Sequence, residues 1–290
     1  MTRRNFIAAA AAVPMAAATT HRPVLCIFSK HMAQFNYSDL GRNAKQSGFD
    51  GVDLTVRDKG HVLPARAAED LPRAVEAIRS HGVSVPMITT NILSDADPTA
   101  IPILSTAAKL KVPYWKLGYH KYKFEDVERT IEAVREATVG LAALSERYRI
   151  AGGFHNHSGD HFGAAVWDIR AVIHDLDAQW TGYYFDPAHA TIEGGLAGWR
   201  ISQNLVKPRL KMVALKDFYW AKSNQGQWKL TWCPMGEGMV DWKRVFADLA
   251  AMKFSGPMSL HVEYHTTDEM AAIAKDIAFV KKQVAAAYGG

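Results

Sequence analysis

Chemically active side chains follow several apolar segments of this sequence, each at the point where the segment ends. The segment GYYF, residues 182–185, leads directly into Asp186, and the segment KMVAL leads into Lys216. His155 follows the apolar residues 151–154, and Glu263 follows the segment LHV. Imidazole nitrogens and carboxylate oxygens bind divalent cations such as Mn²⁺, Mg²⁺, Co²⁺ and Zn²⁺. If these segments are neighbouring strands, His155, Asp186 and Glu263 are predicted to form a metal centre.

A simpler interpretation of each residue exists. A single Asp at the end of a strand is often a helix cap or an ion-pair partner, and Asp186 stands directly before Pro187. A set of such residues on adjacent strands favours a functional site over three separate structural roles.

The elements that must position these residues alternate along the chain. Short apolar runs indicate eight strands, and amphipathic stretches between them indicate eight helices. Strands are expected at 24–28, 51–56, 83–88, 114–117, 151–154, 182–185, 210–215 and 258–262, and helices at 39–47, 70–81, 99–110, 124–147, 164–176, 196–206, 241–252 and 268–287.

Eight strands that are each followed by a helix predict an α/β fold, a (β/α)8 TIM barrel. The competing arrangement is a doubly wound open sheet, but FSKHMAQFNY, not a Gly-rich phosphate loop, follows the first strand. In a barrel, catalytic groups lie at the C-terminal ends of the strands, where the residues above are found.

Length and composition favour one domain. The chain has 290 residues, of which 48% are hydrophobic and 22% charged, enough for one large core. Residues 22–290 are predicted to form a single barrel domain. Its two cysteines, Cys26 and Cys233, are expected to be unpaired thiols, although an exported protein could join them.

Residues 1–20 resemble a bacterial export signal of the twin-arginine type. Arg3 and Arg4 precede a weakly apolar, Ala-rich stretch that Pro14 interrupts and that is too short to span a bilayer. The alternative is an ordinary Ala-rich helix. Removal of the signal would take two positive charges from the formal net charge of +5. The mature protein is therefore expected in the periplasm or otherwise outside the cytoplasm, with no membrane anchor.

Nucleic acid is not an expected partner. The positive charge is spread along the chain, and no Lys/Arg block is interleaved with aromatic residues. The 8 Trp and 10 Tyr would supply anchors for a homodimer, although a core can also use them.

The motifs FHNHSG, YYFDPAHA, LKDF, CPMGEGMVDW and LHVEYH, in this order over residues 22–285, are similar to those of the xylose isomerase-like TIM-barrel superfamily. This superfamily contains sugar isomerases and epimerases. The resemblance implies a metal held by Glu, Asp, His and Glu, which fall here on His155, Asp186, Ala214 and Glu263. Ala214 has no ligand atom, so His157, His189 or water would have to complete the coordination.

The resemblance also implies proton transfer next to a carbonyl group of a sugar. Glu263 is the expected base, His155 a second candidate, and Lys216 would balance charge on the oxyanion, unless it only pairs with a neighbouring carboxylate. His157, His189 and Glu237 are expected substrate contacts. The alternatives are a capping or packing role for His189 and a loop-turn role for Glu237.

An exported enzyme is expected to act on an unphosphorylated sugar or keto-sugar. Isomerisation, epimerisation and elimination from a keto-glycoside share one enediolate-like intermediate, so a lyase or hydratase is an alternative. A non-enzymatic carbohydrate-binding barrel is a second alternative. A nuclease similar to the apurinic endonucleases of the same superfamily is disfavoured, because the 12 His do not fill enough strand ends.

Overall fold

Eight parallel strands form a closed barrel in the computed structural model, which describes residues 21–289. The barrel strands are β1 (Val24–Phe28), β2 (Gly51–Thr55), β3 (Ser84–Thr89), β4 (Tyr114–Lys116), β5 (Ala151–His155), β6 (Thr181–Phe185), β7 (Leu210–Leu215) and β10 (Pro257–Leu260). Their order around the barrel is β1-β10-β7-β6-β5-β4-β3-β2. Parallel pairing of β1 with β10, with Val24 opposite Pro257, closes the barrel.

Helices follow the barrel strands and surround them. They are α1 (Tyr37–Gln46), α2 (Ala67–Arg79), α3 (Ala100–Lys109), α4 (Val127–Tyr148), α5 (Trp167–Ile173), α6 (Pro187–Val206), α7 (Trp242–Ala251) and α8 (Glu269–Tyr288). Their apolar faces pack on the outside of the strands and form one continuous core. The predicted (β/α)8 barrel is confirmed, and most predicted elements match the observed ones to within about three residues at each end.

Helix α6 starts nine residues before the predicted position 196. The Asp186 carboxylate accepts a hydrogen bond from the backbone N–H of His189, and Pro187 occupies the first turn, so the helix begins directly after β6. Gly195, at φ 52° and ψ −132°, interrupts the helical backbone, which makes the Gly194-Gly195 pair resemble a loop in the sequence.

An antiparallel hairpin that the sequence did not predict lies between β7 and α7. It consists of β8 (Asp217–Lys222) and β9 (Trp228–Cys233). Trp232 on β9 faces the end of the barrel, whereas Trp220 and Trp228 are exposed. Trp232 therefore forms part of a wall over the barrel end.

Asp217, at the start of the hairpin, fixes the loop that follows it. Its buried carboxylate accepts five hydrogen bonds, at 2.8–3.3 Å, from the backbone N–H groups of Phe218, Gly236, Gly238 and Val240 and from Nε1 of Trp242. A Cβ atom on Gly238 would lie 2.1 Å from the Asp217 carboxylate, so only glycine permits this approach. Asp217 therefore has a structural role.

Cys26 and Cys233 are free and buried. Within residues 21–289, the helices include none with the length and apolar character needed to cross a bilayer. The predicted signal, residues 1–20, lies outside the described residues.

Candidate functional site at the barrel end

A cavity of about 500 Å³ opens at the C-terminal end of the barrel. We call it the barrel-end cavity. Side chains from the ends of all eight barrel strands and from the hairpin line it, among them Lys116, Tyr119, His155, Lys216, Trp232 and Glu263. Catalytic groups in this fold lie at this end, so the cavity is the candidate site.

Asp186 lies beneath the cavity, fully buried, with both carboxylate oxygens occupied. Oδ2 accepts hydrogen bonds from Nε2 of His155 and from the Lys216 ammonium group, each at 3.0 Å. Oδ1 accepts the backbone N–H of His189 at 3.0 Å. Asp186 is thus a helix cap and an ion-pair partner, the two structural roles that a lone Asp at a strand end suggests. Burial opposes ionisation, but Lys216 and His189 hold the pKa of Asp186 below its ordinary value.

His155 connects Asp186 to Tyr119. Because a carboxylate only accepts hydrogen bonds, the contact with Asp186 assigns the proton to Nε2 of His155. Nδ1 then accepts the hydroxyl proton of Tyr119, at 2.6 Å. Burial, followed by the charges of Lys216 and Lys116, lowers the pKa of His155 well below its ordinary value, so the ring is neutral at pH 7. Burial and the charge of Asp186 raise the pKa of Tyr119 well above its ordinary value.

Glu263 follows β10, the neighbour of β7 in the barrel, and forms an ion pair with Lys30, at 2.9 Å. Its other oxygen lies 3.9 Å from Nδ1 of His261. Burial favours the neutral form, but Lys216 and Lys30 hold the pKa of Glu263 below its ordinary value. The structure therefore places an ionised carboxylate at the cavity wall. It does not bring Glu263 into the group formed by His155, Asp186 and His189.

The predicted substrate contacts lie in different places. His157 lines the cavity, and its ring packs against that of His189 with centroids 3.9 Å apart. His189 is buried, with Nδ1 2.8 Å from the Ser158 hydroxyl. Glu237 is exposed, forms an ion pair with Lys275 and does not line the cavity, which is the loop role that the sequence left open.

Several residues at the cavity were missed in the sequence. Lys116 ends β4 inside an apolar run, and its buried Nζ lies 3.4 Å from the centroid of the Tyr119 ring without a hydrogen-bond partner among the described residues. Burial and the charge of Arg57 lower the pKa of Lys116 well below its ordinary value. The signal available for Tyr119 was its place in LGYHKYK, directly after the fourth strand.

Basic side chains outnumber acidic ones around the cavity. Lys30, Arg57, Lys116 and Lys216 line it, whereas Glu263 is the only carboxylate in the lining formed by residues 21–289. Asp186 lies behind this lining. The cavity therefore suits a ligand that carries negative charge or develops it during a reaction.

Asp53, inside β2, is a buried carboxyl group beside the cavity. Thr89 and Ser259 donate hydrogen bonds to it at 2.7 and 2.8 Å, and Tyr184 donates one at 3.3 Å. Burial raises the pKa of Asp53 to about 6, although these hydrogen bonds and Arg57 oppose the shift.

This shift predicts how stability changes with pH. The folded chain holds the Asp53 proton more tightly than the unfolded chain, so the free energy of unfolding falls as pH rises from about 4 to about 6. Two pKa units correspond to about 3 kcal/mol. Asp53→Asn has no carboxyl proton to lose, so its free energy of unfolding should not show this fall. The free energy of unfolding of the variant minus that of wild type should therefore increase by about 3 kcal/mol from pH 4 to pH 7. Urea unfolding at both pH values measures the gain, with the exposed Asp58→Asn as control. Parallel pH profiles for wild type and Asp53→Asn would refute the prediction.

A divalent cation would find an incomplete set of ligands in these residues. One nitrogen each from His155 and His189 and one oxygen from Asp186 lie within 4.8 Å of one another, and Nε2 of His189 is buried without a hydrogen-bond partner. The Lys216 ammonium group, however, contacts the same Asp186 oxygen and would repel a cation there. Ala214 packs its methyl group with Met212 and Tyr184 and offers no ligand. The residues present therefore do not fit a divalent cation.

Comparisons with known proteins agree with this fold. The family model described as xylose isomerase-like TIM barrel matches residues 42–283. No curated protein matches the sequence.

Three similar solved structures share the fold at low sequence identity. A xylose isomerase-like TIM barrel protein from Mycobacterium smegmatis, in complex with magnesium, is 14% identical with a TM-score of 0.70, over 95% of this chain and 100% of that one. The 3-keto-D-glucoside 4-epimerase from E. coli is 14% identical with a TM-score of 0.70, over 90% and 100%. The D-allulose 3-epimerase from Methylomonas sp. is 15% identical with a TM-score of 0.69, over 90% and 98%.

Proposed function

Since the chain belongs to the xylose isomerase-like TIM-barrel family, we propose that it is a sugar isomerase or epimerase that transfers a proton next to a carbonyl group. The observation that carries this proposal is that one cavity contains both an ionised carboxylate, Glu263, and a buried ammonium group, Lys216. A base and an oxyanion stabiliser are the two groups that enolisation requires. The epimerases among the structural neighbours support the same class of reaction.

Glu263 acts as the base. Its carboxylate removes the proton from the carbon next to the carbonyl group, and Lys30 holds the side chain at the cavity wall. Because Lys216 and Lys30 outweigh burial and lower its pKa, Glu263 is ready to accept a proton at neutral pH. Addition of a proton from water to the opposite face gives epimerisation, and return of the proton by Glu263 to the adjacent carbon gives isomerisation.

Lys216 stabilises the oxyanion that forms when the proton leaves. Asp186 and the ring of Trp232, 5.1 Å away, fix the position of its ammonium group. A charge held in advance in a buried site stabilises a developing negative charge with little reorganisation. Arg57 also lines the cavity and adds positive charge there.

Tyr119 holds a hydroxyl group of the sugar by a hydrogen bond. Its own proton points to Nδ1 of His155, which leaves the phenol oxygen free to accept a hydrogen bond from the cavity. The sugar hydroxyl donates this hydrogen bond and keeps its proton, because burial and the charges of Lys216 and Lys116 keep His155 neutral. His155 thus acts through Tyr119 and stays bonded to Asp186.

Loss of this hydroxyl is expected to slow the reaction. Tyr119→Phe removes the oxygen that orients the sugar hydroxyl, so kcat should fall by about 10-fold, the rate equivalent of a lost hydrogen bond of about 1.4 kcal/mol. Tyr219→Phe, on the exposed face of the hairpin, makes the same chemical change away from the cavity and should leave kcat unchanged. Equal kcat values for both variants would remove Tyr119 from the mechanism.

We propose an unphosphorylated sugar or keto-sugar as substrate for two reasons. The described part of the chain places no compact Gly-rich phosphate-binding loop in the cavity lining, and residues 1–20 resemble an export signal. Substitution of Arg3 and Arg4 by Lys should stop export, which fractionation of cells measures.

Proton NMR in D₂O with a panel of keto-sugars and 3-keto-glycosides tests the function. Deuterium uptake at the carbon next to the carbonyl group is expected, and the product identifies epimerisation or isomerisation. New alkene signals would instead identify a lyase, the alternative on the same site. Sugar binding without exchange at any carbon would contradict the proposal and favour a carbohydrate-binding barrel.

A further inference from the structure

The Lys216 ammonium group places a positive charge at the centre of the candidate site. It lies 3.0 Å from Oδ2 of Asp186, and its side chain is 5% exposed. The same oxygen also accepts the hydrogen bond from His155, and the other oxygen caps α6. Each oxygen of Asp186 is therefore already in use within the folded chain.

Two other groups at the cavity that could bind a cation, Glu263 and His155, are also paired or bonded. Glu263 forms its ion pair with Lys30. His155 uses both ring nitrogens, one on Asp186 and one on Tyr119. At residue 214, where a further ligand would be needed, the side chain is a buried methyl group. A divalent cation would have to displace Lys216 and break the hydrogen bond from His155 to Asp186.

We propose that the Lys216 ammonium group replaces a divalent cation at Asp186, so that this site works without a metal. Lys216 both lines the barrel-end cavity and contacts the buried carboxylate, which are the two contacts that a bound cation would make. The ammonium group donates hydrogen bonds to a carbonyl oxygen and stabilises the oxyanion by charge, without coordination geometry. The catalytic part of this inference rests on the proposed function, but the part about metal binding does not.

A single substitution should convert the site. In Lys216→Met the ammonium group is gone, while His155, Asp186 and His189 remain within 4.8 Å of one another as two imidazoles and a carboxylate. Such a set suits Zn²⁺, Co²⁺ or Mn²⁺ with water in the open positions. We therefore expect Lys216→Met to gain a metal site that the wild-type protein lacks.

Metal binding is measured on the full-length protein after dialysis against EDTA. Calorimetric titration with Zn²⁺, Co²⁺ and Mn²⁺, followed by elemental analysis after desalting, should give no equivalent bound at this site in wild type and one in Lys216→Met. Asp186→Asn in the Lys216→Met background should lose that equivalent, which separates the site from surface histidines. Lys243→Met, an exposed lysine on α7, is the matched control and should behave as wild type.

Two results would overturn the inference. One is a single equivalent of metal in the wild-type protein that Asp186→Asn removes. The other is loss of deuterium exchange in wild type after EDTA treatment, with recovery on addition of Mn²⁺. If Lys216→Met does not fold, the wild-type measurements alone still decide the question. If no sugar exchanges deuterium in any sample, the proposed function fails, whereas the result on metal binding stands by itself.

Discussion

Replacement of Glu263 by Gln is expected to reduce kcat by about 10³-fold, because the amide cannot remove a carbon-bound proton. The shape of the side chain is kept, so KM should change little. Deuterium exchange at the substrate carbon, followed by NMR, measures the loss directly. Wild-type activity should also fall on acidification as Glu263 takes up a proton, at a pH below the ordinary pKa of Glu, because Lys216 and Lys30 outweigh burial and lower its pKa.

Glu132→Gln is the matched control for this variant. Glu132 is exposed on α4 and does not line the barrel-end cavity, so the same substitution there should leave kcat unchanged. The thermal midpoint of Glu263→Gln should lie close to that of wild type, because a partly exposed ion pair such as Glu263 with Lys30 adds little stability. A folded Glu263→Gln protein with wild-type exchange rates would show that another group is the base.

Asp217→Ala is expected to cost about 3–5 kcal/mol of the free energy of unfolding. The substitution removes a buried acceptor of five hydrogen bonds, and each buried N–H left without a partner costs about 1–3 kcal/mol before the loop relaxes. Urea unfolding measures this effect. Asp58→Ala, at an exposed aspartate, should change stability by less than about 0.5 kcal/mol.

The Asp217 prediction distinguishes a structural carboxylate from a catalytic one. Asp217 follows Lys216 directly in the sequence, yet its carboxylate points to the loop that precedes α7 and not into the barrel-end cavity. A loss of stability of less than about 1 kcal/mol would mean that the five hydrogen bonds are exchanged for water at little cost.

The alternation of strands and helices was sufficient to predict the barrel, because hydrophobic periodicity records which face of each element is buried. The hydrophobic pattern could not place the start of α6, because Gly194 and Gly195 resemble a loop in the sequence. The cap that starts this helix is the side chain of Asp186, which precedes the helix. The hairpin was missed for a different reason. Its strands have aromatic residues on exposed faces, so they lack the simple apolar and polar alternation of a half-buried strand.

The candidate site was predictable only in its residue types. The predicted ends of the barrel strands indicated His155, Asp186, Lys216 and Glu263. Contacts between side chains that lie far apart in the sequence leave no local pattern, so they could not be predicted. The ion pair of Glu263 with Lys30 and the hydrogen bond of His155 with Tyr119 each join different strands of the barrel. Lys116 lies in an apolar run, where sequence alone does not distinguish an inward-facing lysine from a side chain that reaches solvent.

The pairing of β1 with β10 affects how the chain folds. These are the first and last strands of the barrel, so the ring cannot close until nearly the whole chain is available. Until then, β1 and β7 each present an edge whose backbone N–H and C=O groups can pair with other chains. Contacts between such distant segments also form slowly. Chains that end before β10 should therefore aggregate, and newly made protein should depend on chaperones until its last strand is inserted.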